Sequence, residues 1–82
     1  MKALYFASVR ERIGKNEEEI DPPATVVTVG DLFAWLAARG EGYAEAFASP
    51  SVRAALDRVH VKRDAPLAGA REIAFFPPMT GG

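Results

Sequence analysis

The chain has 82 residues, 49% hydrophobic and 26% charged; a domain this short buries only about 60% of its unfolded surface, leaving no room for an enclosed cofactor cleft beside a core. Ten Lys and Arg stand against eleven Asp and Glu, so no positive excess exists to hold a phosphate backbone, and no nucleic acid partner is expected. With no cysteine there are no disulfides, thiolate metal sites or Cys nucleophile, and no apolar run nears the roughly 20 residues of a membrane span, so no membrane partner is expected either.

Residues 2–8, KALYFAS, are apolar with aromatics and stop at the charged VRERIGKNEEE, which predicts a strand, then a short helical turn and a loop. The opening MKALYFASVRE meets charge too soon for a secretion signal, so a cytoplasmic protein is expected. EEEIDPP predicts a short second strand that Pro22 and Pro23 stop. The strongest helix signal is TVGDLFAWLAARG, residues 28–40. Thr28 with Asp31 resembles a capping box, Val29, Leu32, Phe33 and Leu36 fall on one helical face, and Gly40 suits the C-terminal cap. Trp35 falls opposite that stripe. GYAEAFASP, residues 42–50, predicts one or two further helical turns with Tyr43 stacked on Phe47, ended by Pro50. RAALDRVHVKR, residues 53–63, predicts two strands around a turn near Asp57, and REIAFF, residues 71–76, the last strand. The order β, β, α, β, β, β describes an α+β domain in which one main helix covers one face of a mixed sheet.

Side chains alternate along a strand, so Ile73 and Phe75 point one way and Glu72, Ala74 and Phe76 the other. The charge of Glu72 marks its side as the solvated one. In the first strand Ala3 and Tyr5 face inward, and Lys2, Leu4 and Phe6 outward. If the terminal strands are neighbours, Phe6 and Phe76 form an apolar patch bordered by Lys2 and Glu72, and contiguous exposed apolar surface of this kind marks a partner interface.

The sequence closes on PPMTGG. Pro77 and Pro78 stop the sheet and stiffen the exit, while Gly81 and Gly82 have no Cβ and can thread a channel too narrow for side chains. A carboxylate at the tip is unreactive at neutral pH and becomes an acyl donor only after activation, for instance by adenylation with ATP. A sulfur or amine nucleophile can then take the acyl group.

AFFPPMTGG, together with LYFASVRERIG at the start and VGDLFAWLAARG between, resembles the family of molybdopterin synthase small subunits, which are ubiquitin-like sulfur carriers. The likeness spans essentially the whole chain. It implies a β-grasp fold over residues 1–82, with a flexible tail at 79–82. It also implies that Gly82, next to Gly81, is adenylated by an E1-like enzyme using ATP and Mg²⁺ and converted to a thiocarboxylate with sulfur from a donating enzyme. The tail then enters the active site of the synthase large subunit and gives its sulfur to cyclic pyranopterin monophosphate, in a heterotetramer. On this reading the chain binds no cofactor of its own and is a sulfur-donor subunit rather than a free-standing enzyme.

The resemblance places Phe6 and Phe76 on the family's hydrophobic contact surface, beside Pro77, Pro78 and Met79. His60 falls where the family commonly has an apolar residue of that surface; a lone strand histidine reads as a surface residue rather than a catalyst. LAGAREIAFF has Ala70 and Arg71 in place of the family's acidic turn, and Gly69 keeps the turn feasible. RERIGKNEEE resembles the family's charged loop, from which Arg10 could reach an acidic group on a partner. Two alternatives stay open: a carrier for thiamin or tRNA thiolation, and a ubiquitin-like modifier whose Gly82 is joined to lysines of target proteins.

Overall fold

The computed structural model describes residues 1–78; the predicted tail, Met79 to Gly82, lies outside the described residues. The elements are β1 (Lys2–Tyr5), α1 (Ala7–Ile13), β2 (Glu17–Glu19), α2 (Val29–Ala37), α3 (Glu41–Ala48), β3 (Arg53–Leu56), β4 (Val59–Val61) and β5 (Glu72–Phe76). The five strands form one sheet in the order β2-β1-β5-β3-β4. β1 and β5 run parallel at its centre and every other pair is antiparallel. A mixed sheet of this order under helices is the β-grasp, and the expected α+β class holds.

Local chemistry explains most boundaries. The Thr28 hydroxyl accepts from the Asp31 amide at 3.1 Å and the Asp31 carboxylate accepts from the Thr28 amide at 3.1 Å, so the predicted capping box starts α2. The amides of Thr28 and then Val27, each donating to the Asp31 carboxylate at 3.1 Å, hold that carboxyl below its usual range. The β3–β4 hairpin turns through Asp57 and Arg58, both at positive φ (46° and 72°), the two-residue turn whose twist matches its strands. Asp57 Oδ1 then accepts from the amides of Arg71 and Glu72, each at 3.0 Å, which clamps the hairpin to the start of β5.

The core lies between the sheet's inner face and the helices. Ala3, Tyr5, Ile73 and Phe75, the residues predicted to face inward, are all buried, together with Val9, Val29, Leu32 and Leu36. Phe75 is the hub: Tyr5 stacks on it at 6.0 Å between centroids, while Phe33 and Phe47 meet it edge-on at 5.3 and 4.9 Å.

Several expectations change. The turns after β1 and α2 are complete helices, α1 and α3, and β1 ends at Tyr5 rather than at residue 8. The first of these helices begins without a side-chain cap, at Phe6, and closes on Gly14 with φ of 85°, the left-handed cap that glycine adopts without strain. Gly40 does not cap α2, which closes at Ala38; it is the extended residue that opens α3. Tyr43 does not stack on Phe47. Phe47 turns into the core against Phe33 and Phe75, and the Tyr43 hydroxyl donates to Glu18 at 2.6 Å. Trp35 is half-buried against the core, with the Arg39 guanidinium 5.3 Å from its ring centre.

Glu18 is the polar anchor of the covered side. It pairs with Ala3, which faces inward, and it accepts from both Tyr5 (2.8 Å) and Tyr43 (2.6 Å) while Lys15 and Arg39 stand at 3.2 and 3.3 Å. Burial pushes its carboxyl up, but the two hydroxyls and two cations outweigh that, and the net shift is downward. Burial, then the bond to Glu18, raises the Tyr5 hydroxyl well above the usual tyrosine range.

Candidate functional site

The sheet's outer face carries no helix, and the strand register arranges it in rows. At one end stand Glu19, Lys2 and Glu72. Leu4, Ala74, Ala55 and His60 cross the middle. At the far end Phe6 follows Tyr5 in extended conformation beside Phe76, which faces Arg53. Charge is therefore confined to one end of β1 and β5, and aromatic surface to the other. Lys2 closes the charged end with an ion pair to Glu17 at 3.0 Å; a hydrogen bond to that carboxylate, then its charge, raises the ammonium's pKa.

The predicted parity is correct in every position of β5. Ile73 and Phe75 are fully buried, and Ala74 and Phe76 lie half-buried on the open face. Phe6 is 46% exposed, a large fraction for an aromatic, and its amide donates to the Phe75 carbonyl at 3.1 Å, which sets it beside the last strand. The His60 ring lies 5.1 Å from that of Phe76, tilted by 53°. His60 thus reaches from the middle row toward the apolar end, where its ring adjoins that of Phe76. Pro77 and Pro78 are half-buried where the chain leaves β5 at the aromatic end.

Arg10 is exposed on α1, its amide donating to the Phe6 carbonyl at 3.4 Å. It lies one helical turn from the patch, and its guanidinium joins no ion pair among the described residues. The helix that carries it starts abruptly, with Ala7 at φ of 50°, a left-handed value uncommon for a residue with a Cβ. Met79, Gly81 and Gly82 fall outside the described residues. Arg53 and Ala55 are not marked as face residues by the sequence, in which nothing local sets the parity of β3. Once β3 is known to pair with β5, period two alone places both on the open face.

A five-stranded mixed sheet with helices on one face, and an open face that carries Phe6 and Phe76 at one end, defines a ubiquitin-like domain. The sequence model of the ThiS family matches residues 3–82, and the chain belongs to that family. It is 39% identical over 82 residues to the molybdopterin synthase sulfur carrier subunit of Escherichia coli, covering 100% of this chain and 99% of that one. The Haemophilus influenzae protein of the same description is 32% identical over 83 residues, with 100% and 99% covered. Among solved structures, one from Pyrococcus furiosus, provisionally described as molybdopterin converting factor, subunit 1, superposes with a TM-score of 0.74 at 29% identity over 94% of each chain. SAMP1 from Haloferax volcanii gives a TM-score of 0.75 at 22% identity, covering 100% of this chain and 98% of that one, a likeness of fold.

Proposed function

We propose that this chain is the sulfur carrier subunit of a molybdopterin synthase. The observation that supports it best is the conjunction of full-length similarity to such carriers with an open face whose aromatic end lies where the chain leaves toward Gly81 and Gly82. In this reading Phe6, Phe76, Pro77 and Pro78, with His60, Arg10 and Met79 around them, meet the large subunit, and the glycines enter its active site. An E1-like enzyme with ATP and Mg²⁺ converts the Gly82 carboxylate to an acyl-adenylate, releasing pyrophosphate. Sulfide-level sulfur supplied by a donating enzyme then attacks the acyl carbon and displaces AMP, forming the C–S bond as the C–O bond to AMP breaks and leaving a thiocarboxylate. Ionised at neutral pH, that group is a far better nucleophile than the carboxylate it replaced: its sulfur bonds to cyclic pyranopterin monophosphate, and water then cleaves the acyl–sulfur bond and returns Gly82 as a carboxylate, in molybdenum cofactor biosynthesis. The subunit needs no bound cofactor and works in the cytoplasm, within a heterotetramer.

The test is to incubate the purified protein with the activating enzyme, ATP, Mg²⁺ and a sulfur donor and to record the intact mass. Replacement of one oxygen by sulfur, mapped to the C-terminal peptide alone, is expected. Isopeptide linkage of Gly82 to lysine, with no thiocarboxylate formed, would replace this reading with that of a protein modifier.

A further inference from the structure

On one side the sheet ends at β4, which pairs with β3 alone. An edge strand presents unpaired N–H and C=O groups and is a template for another strand. Here the free edge borders a groove of about 300 Å³ between β3, β4 and the start of α2, with an apolar floor of Val29, Phe33, Val52 and Val61. Arg53, Lys62 and Arg63 also line it. All three are exposed, and among the described residues none forms an ion pair with a carboxylate.

The groove is held in shape before anything binds. The Arg63 guanidinium lies 4.0 Å from the centre of the Phe33 ring, its carbonyl accepts from the Gly30 amide at 2.8 Å, and the Ala65 carbonyl accepts from Val29 at 2.9 Å. A preformed wall spares a ligand the entropy of ordering it. The groove also runs into the open face, because Arg53 stands opposite Phe76 and a neighbouring depression of about 240 Å³ is lined by Arg53, His60 and Lys62.

Charge decides the occupant. Arg58 at the hairpin adds a fourth cation, and over residues 53–64 the acids are Asp57, whose carboxylate accepts from the amides of Arg71 and Glu72, and Asp64, so the positive charges prevail. Two such edges brought together would oppose their cations, which disfavours a second copy of this chain. A strand bearing Asp or Glu would meet complementary charge and complete the backbone ladder. We propose that the β4 edge and its groove bind an extended acidic segment of a partner protein, which adds a strand to β4, sets apolar side chains on the groove floor, and pairs its carboxylates with Arg53, Lys62 and Arg63. This inference does not rest on the sulfur-carrier reading, since it requires neither the tail nor its chemistry.

The test is an amide-resolved NMR titration of the full chain with a blocked heptapeptide alternating Glu and Val. The same peptide with Gln for Glu, and heptathymidylate as an anion without a peptide backbone, are run beside it. Saturable shifts concentrated on Val59–Val61, Lys62 and Arg63 are expected, with affinity at least about tenfold lower for the Gln peptide and for the R63E variant. K62E, whose side chain supports no core ring, gives the same loss in a protein that keeps its fold. Equal binding of the Gln peptide, equal or tighter binding of heptathymidylate, shifts elsewhere on the surface, or shifts that follow protein concentration alone would each overturn the proposal.

Discussion

Phe75 and Phe76 are consecutive residues of one strand, yet they belong to different problems. Phe75 is fully buried among Tyr5, Phe33 and Phe47; Phe76 is half-buried with His60 as its aromatic neighbour. The same side-chain chemistry is thus used once to hold helices on a sheet and once to leave apolar surface available. Period-two alternation makes the division sharp, because no slip of register can exchange the two without turning Glu72 into the core.

The largest expected effect follows from the covered side. Phe75→Ala removes the hub of the aromatic cluster and should destabilise the protein by about 3–5 kcal/mol in denaturant titrations. A loss below about 1 kcal/mol would show that Phe75 is not the hub of the core.

A second strain test lies where α3 crosses α1. A Cβ on Gly42 would stand 2.5 Å from the Arg12 carbonyl oxygen, so Gly42→Ala should cost about 1–3 kcal/mol by forcing the helices apart. Gly14→Ala meets no atom within 4 Å and should cost about 1 kcal/mol, through its left-handed backbone alone. Thermal melts of the two variants, ranked the other way round, would show that the helix crossing is looser than the structure has it.

The third test sharpens the covered side by pH. The folded-state pKa of Glu18 is depressed below its usual 4.5, so its contribution is fully present above that value and is lost as pH falls through the lower, folded value. Glu18→Gln should therefore lower stability at neutral pH and flatten the acid limb of the melting-temperature profile. An acid limb identical to the parent's would show that Glu18 does not anchor the covered side.

What the sequence discloses follows the same division between near and far. The capping box of Thr28 and Asp31, the turn at Asp57 and the parity of β5 rest on residues close together in the chain, and each is legible without a structure. The helix after β1 is legible only as a short helical turn, because it has seven residues, no side-chain cap and only Val9 buried. Gly40 fits two roles equally well by composition, and only the packing of α3 on α1 and α2 selects between them. The Glu18 anchor joins residues 13 and 25 positions apart, a distance over which no periodicity signals contact. On the open face Phe6 and Phe76 are readable from alternation, whereas Arg53 and Ala55 become visible only when β3 is known to lie beside β5. The glycines that the proposed chemistry needs are legible as a motif and lie outside the described residues.

The smallest expected effect on folding belongs to Phe76, whose ring lies on the open face. Phe76→Ala, titrated against the synthase large subunit and melted alongside, should lose about 2 kcal/mol of binding, roughly thirtyfold in affinity, while its melting temperature falls far less than that of Phe75→Ala. Unchanged affinity, or a collapse in melting equal to that of the Phe75 variant, would contradict the assignment of the open face to a partner.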